Sequence, residues 1–282
     1  MPVMSVEVEL YLNELADLDA IQLLEKVDAG AFPMESDCKW IQNSYRDAFR
    51  LLRSGFFPLN SQTEGNVMKQ VWSCVDTCFD FSPIKSVSGE KCSRASADAG
   101  NKDRCLSHLG RQSPGRKMDY LFTTKTDFEV GCGECALVGG IKTTKELVDA
   151  GFKMPKVMKD MANSLLLNYP GLAHDICIVS LYIGGDAMQL FTLDFPAGYV
   201  ARLDGFGPVY SPKEENHICF ALPSLLQMVL SSRQLMEEMQ CKIQNYKTVK
   251  PINRIGVVPK QIVPTFIPAA ASVRQKKRKV SS

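Results

Sequence analysis

The stretch 115–136, GRKMDYLFTTKTDFEVGCGECA, holds two carboxylates in neighbouring strand-like runs. Asp119 lies in the first run, and Glu134 closes the second among small residues. The Thr-Lys-Thr-Asp between them reads as a turn joining two strands. A period of two puts Asp119 and Leu121 on one face of the first strand, and Cys132, Glu134 and Ala136 together on the second. Strand propensity disfavours an acid, so each needs an exposed edge, a cation or a metal. Two such acids side by side can hold a hard divalent ion through oxygen, Mg²⁺ first and Mn²⁺ as its substitute. Either acid alone reads equally well as a charge on an edge strand.

Other chemistries are weaker. Cys105-x-x-His108 and Cys132-x-x-Cys135 supply four zinc ligands in paired spacing, but on a regular strand Cys135 faces away from Cys132, which counts against zinc. A redox role for Cys132 and Cys135 lacks the helix that should follow directly. Residues 139–144 fail the phosphate-loop pattern, because Ile141 separates the glycines from Lys142. His108, His174 and His217 are scattered and suggest no nucleophile–base arrangement.

The elements that must position these residues are read from periodicity. Apolar steps of three predict a helix over 6–28, and further helices cover 37–54, 63–79, 155–169 and 217–245. Strands are expected over 84–92, 118–124, 127–136, 175–183, 187–194 and 199–203, with a polar loop over 93–115. The fold class is α/β, a short mixed sheet with flanking helices in the order αβββαβ. Three parts follow: a helical N-terminal extension (1–58), an α/β domain (59–246) and an extended basic tail (247–282). The chain has 282 residues, 45% apolar, with a net charge of +2, so bulk charge names no partner. It contains no apolar run of about 18 residues, so no membrane span is expected. The acidic N-terminus lacks a basic-then-apolar leader, which makes the expected location intracellular and its ten cysteines reduced core residues.

The element order, with an acid on the second core strand and another late on the third, resembles the PD-(D/E)xK nuclease superfamily. The phrases TEGNVMKQVWS, GRKMDYLF, GCGECA and KMPKVMKDM further resemble a family of such proteins expanded in fungi. The resemblance spans about residues 60–245. It implies a restriction-endonuclease-like core in which Asp119, Glu134 and the Cys135 carbonyl bind Mg²⁺, with Glu64 assisting from the first core helix. It also implies a lysine two residues after the glutamate, and here that position is Ala136. Some members carry this lysine on the following helix, where Lys142, Lys145, Lys156 and Lys159 are candidates, Lys145 and Lys159 foremost. Two readings stay open: a metal-dependent nuclease acting on DNA with a moved lysine, or a nuclease-like scaffold that binds without cutting.

Basic residues support a nucleic-acid partner. Arg104, Arg111, Arg116 and Lys117 lead into the first acid-bearing strand and suit phosphate contacts. A solvated loop explains them equally. The cluster Lys276, Lys277, Arg278 and Lys279 resembles a nuclear localisation signal read by importin; without a working signal the protein stays cytoplasmic.

Overall fold

The computed structural model describes residues 4–102, 112–137, 144, 148–197 and 200–246. A six-stranded sheet runs in chain order: β1 (Lys85–Cys92), β2 (Lys117–Thr123), β3 (Glu129–Ala136), β4 (Cys177–Gly184), β5 (Ala187–Ala197) and β6 (Val200–Tyr210). Every neighbouring pair is antiparallel except β3 and β4, which are parallel. A parallel pair needs a long crossover, because the chain must return to the same end of the sheet before starting the second strand. Within that crossover lie a π-helical turn, Asp149–Lys153, and the helix α7 (Met154–Asn168). Two short helices, α4 (Glu64–Gln70) and α5 (Ser73–Thr77), precede the sheet, and a long helix, α8 (Ile218–Gln244), follows it. The protein is therefore an α/β fold, a mixed sheet with helices on its faces, with helix, three strands, helix and strand in the expected order.

The two faces are sorted by the pleat. Gly131 faces Met236 of α8, and a Cβ there would also meet the Val179 carbonyl of β4 at 2.9 Å, backbone that cannot give way as a methionine end can. Cys132 and Glu134 point the opposite way, toward α7, which packs over β3 and β4. On β4, Ile178, Val179, Leu181 and Ile183 are all buried, as expected of a strand covered on both sides. Three N-terminal helices, α1 (Val6–Ala16), α2 (Ala20–Ala29) and α3 (Asp37–Arg53), pack against α8. Leu15, Leu23 and Ile41 on them are fully buried and join the same core as the sheet.

Three local differences from the sequence pattern have physical causes. The helix expected over 6–28 breaks into α1 and α2, because Asp19 takes an extended conformation and caps α2, accepting from Ile21 and Gln22 N–H at 2.9 Å each, while the Gln22 side chain answers at the Asp19 N–H. The helix over 63–79 breaks at Trp72, whose fully buried indole donates to the Gly185 carbonyl at 3.0 Å. The segment 93–115 was expected to be a loop, yet its first part is the helix α6 (Arg94–Asn101). The signal lies at a distance: buried Glu129 of β3 accepts from Ser93 Oγ at 2.6 Å and from the N–H groups of Arg94 and Ala95 at 2.7 and 3.2 Å. A carboxylate at a helix N-terminus satisfies donors the helix itself leaves open.

Replacing Glu129 with Ala strands three buried or half-buried donors. Urea denaturation of Glu129→Ala is expected to show a loss of about 2–3 kcal/mol, the scale for charge-assisted hydrogen bonds; a loss under about 0.5 kcal/mol, the scale of an ordinary surface change, contradicts the capping account.

Candidate active site

Glu134 stands near the end of β3 with its side chain only 5% exposed. The register pairs Leu121 with Cys132 and Tyr120 with Gly133, so one further step brings Asp119 to Glu134. Half-buried Asp119 is held there: its Oδ2 accepts the Cys135 N–H at 2.7 Å. Across the parallel pair Glu134 is opposite Tyr182, and Tyr182 is opposite Gln189 of β5. A polar row, Asp119, Glu134, Tyr182 and Gln189, thus crosses four strands on the face toward α7. The alternation of β2 and β3 foretells the first two members; the last two depend on strand order, which a sequence does not display.

The cation of the site comes from the π-helical turn. Lys153 Nζ lies 2.6 Å from Glu134 Oε1. The contact is an ion pair and not a hydrogen bond of regular geometry, since Oε1 has no hydrogen-bond partner by that measure. Burial pushes the Glu134 carboxyl from its ordinary 4.5 up to about 7. Lys153 opposes that rise, and the charges of Asp119 and Asp149 add to it. Asp149, itself buried, belongs to the same π-helical turn as Lys153. Single π turns inside helices are frequent at functional sites.

Sequence reasoning missed Lys153 and Asp149. The sequence pattern starts the crossover helix at about Pro155, with candidate lysines on either side of Lys153. Lys153 falls in the gap, at the helix entry beside the end of β3. Pro155 was the available clue, because proline marks the first helical turn and the residues just before it lie at the helix mouth.

The other expected site residues fall as follows. Glu64 occupies the first turn of α4, which touches β3, but it is not among the charges acting most strongly on Glu134. Cys135 supplies its N–H to Asp119, and its carbonyl follows Glu134 along the strand. Lys159 lies further along α7 than Lys153, the residue that reaches Glu134; Lys156 instead pairs with Asp160. Arg116 and Lys117 are exposed at the entrance to β2, and Lys117 pairs with Glu90 at 2.8 Å. Arg104, Arg111, Lys142, Lys145, Cys105, His108 and the tail residues Lys276, Lys277, Arg278 and Lys279 lie outside the described residues. Cys132 and Cys135 are both buried, on opposite faces of β3.

The donor set could hold a hard cation through oxygen. It offers carboxylate oxygens from Asp119 and Glu134, one of them bare except for an ammonium that is itself a cation. Mg²⁺ keeps several waters and takes one or two carboxylates plus substrate phosphate, so two acids are enough. Among the described residues no group of three or more His, Cys, Asp and Glu converges. Among the same residues no helix is long and apolar enough to cross a membrane. No protein-family model matches the chain, and neither a curated protein nor a solved structure matches it.

Glu134 makes stability depend on pH with a definite sign. Its folded pKa is above its unfolded one, so the native state binds more protons between about 4.5 and about 7. The stability it contributes is complete below 4.5 and is lost as pH rises through about 7. Denaturation of wild type and Glu134→Gln across that interval is expected to show the wild type losing stability relative to the variant as pH rises; parallel profiles contradict the burial argument.

Proposed function

We propose that this chain is a metal-dependent phosphodiesterase acting on DNA, built on a restriction-endonuclease-like core. The observation that carries the proposal is the cluster of Asp119, Glu134 and Lys153, two acids from adjacent strands and a lysine from the following helical turn. Asp119 and Glu134 would hold the ion, with the Cys135 carbonyl after them on the strand, and Mg²⁺ held there would supply polarisation of the scissile phosphate and a more nucleophilic water. Asp119 stays oriented because the Cys135 N–H fixes one of its oxygens. Glu134, whose carboxyl burial raises to about 7, would bind the ion as its carboxylate. Lys153 takes the part that the family pattern gives to the position of Ala136: its ammonium is poised to move from Glu134 to the charge that develops on the phosphate. Arg116 and Lys117 offer phosphate contacts at the mouth.

One observation favours a second reading. Both acids are already engaged, Glu134 by Lys153 and Asp119 by the Cys135 N–H. If those contacts persist with nucleic acid bound, the scaffold binds without cutting, and its role is that of a nuclear nucleic-acid-binding protein delivered by importin through residues 276–279.

Labelled DNA incubated with Mg²⁺ or Mn²⁺ separates the two. Wild type is expected to cut, with Asp119→Ala, Glu134→Ala and Lys153→Met each slowed about 100-fold or more, the scale of losing one preorganised charge contact. Salt-sensitive binding with no cleavage by wild type contradicts the enzyme and supports the scaffold.

A further inference from the structure

Away from Asp119 and Glu134, a cavity of about 420 Å³ opens between α3 and α5, with Arg233 of α8 in its wall. That volume holds several side chains of a peptide or a small ligand. Met34 and Phe81, 69% and 62% exposed, line it together with the Trp40 ring. One exposed apolar residue needs no explanation, but two beside a tryptophan in one cavity give it an apolar wall.

The charges of the cavity do not balance. Its two cations are already committed: Arg46 contacts Asp28 at 3.1 Å, and Arg233 contacts Asp37 at 2.8 Å. Glu35 and Asp80, both exposed, pair with no cation among the described residues. Asp47 has only a solvent-exposed contact with Arg50. Carboxylates beside an apolar wall suit an ammonium or guanidinium on an aliphatic stem, with the stem along the rings and the charge at the acids.

The chain supplies such groups itself. Nine of its 33 Lys and Arg lie in 247–282, a stretch with no Asp or Glu. Residues 1–246 therefore hold 24 basic residues against 31 acidic, a net charge of −7. Within 1–58, where most of the cavity lining lies, ten acidic residues stand against five basic. Covalent reach permits the contact. Arg233 precedes Tyr246 by 13 residues, about 20 Å of helix. The 29 residues 247–275 can span up to about 100 Å. A tethered segment also needs little intrinsic affinity, because the link sets a high effective concentration.

We propose that the cavity is the docking site of residues 274–280 of the same chain, with their cationic groups on Glu35, Asp47 and Asp80. Docked there, the cluster that resembles an import signal is covered. The inference goes beyond the phosphodiesterase reading and does not depend on it.

Two measurements test it. The first is zero-length carbodiimide crosslinking of the full chain, prepared as a mixture of ¹⁵N-labelled and unlabelled protein and read by mass spectrometry. Lys276, Lys277 or Lys279 is expected joined to Glu35, Asp47 or Asp80, always within one isotope population. Mixed-isotope crosslinks, which place a second copy's segment in the cavity, overturn the inference, as does the absence of these crosslinks. The second uses the full chain carrying Lys276→Ser, Lys277→Ser, Arg278→Ser and Lys279→Ser, titrated into a labelled peptide of residues 272–282. Salt-sensitive binding is expected. Adding Glu35→Lys and Asp80→Lys should weaken it about tenfold, the scale of two exposed charge contacts turned from attraction to repulsion. Adding Asp98→Lys and Glu238→Lys instead, two exposed acids outside the cavity, changes net charge equally and should weaken it less than threefold. Equal losses from the two pairs, or no binding, overturns the inference. All four substituted acids are exposed, and an unchanged thermal midpoint establishes that a loss is not unfolding.

Discussion

Glu134 is an acid on a strand whose every residue is buried, and the Lys153 ammonium makes its charge tolerable there. Taking a carboxylate out of water costs several kcal/mol, and a close opposite charge offsets part of that cost. The offset here is incomplete, since the carboxyl still titrates near 7. Burial outweighs the Lys153 ammonium, so the carboxyl stays above the ordinary carboxylate range.

That arrangement depends on the single parallel pair in the sheet. Parallel β3 and β4 oblige the chain to cross over one face, and the crossover carries Asp149 and Lys153 to Glu134. The antiparallel β2 brings Asp119 from the other side. The opposite face is closed by α8 on Gly131, which fixes which way Glu134 points. Fold and site are therefore one constraint: an antiparallel β3–β4 hairpin would need no crossover, and Glu134 would lose its counter-charge.

The parts legible in the sequence are those written in local periods. Alternation through 118–124 and 127–136 puts Asp119 and Glu134 on neighbouring strands, and the apolar run of β4 announces a strand covered on both sides. What stayed hidden was set by distant contacts. Helix α6 exists because Glu129, on a strand more than thirty residues later, caps it. Trp72 interrupts a helix to reach Gly185. Lys153 was indistinguishable from its neighbours Lys156 and Lys159 until the helix entry was placed over β3. Tyr182 and Gln189 join the row only through the strand order.

The central claim is that Asp119 and Glu134 share a divalent cation in place of the Lys153 ammonium. Anomalous diffraction from crystals grown with Mn²⁺ tests it directly. The account predicts one strong peak between the two carboxylates, with Lys153 moved off Glu134. Crystals with no peak at that position, and Lys153 still against Glu134, would contradict it.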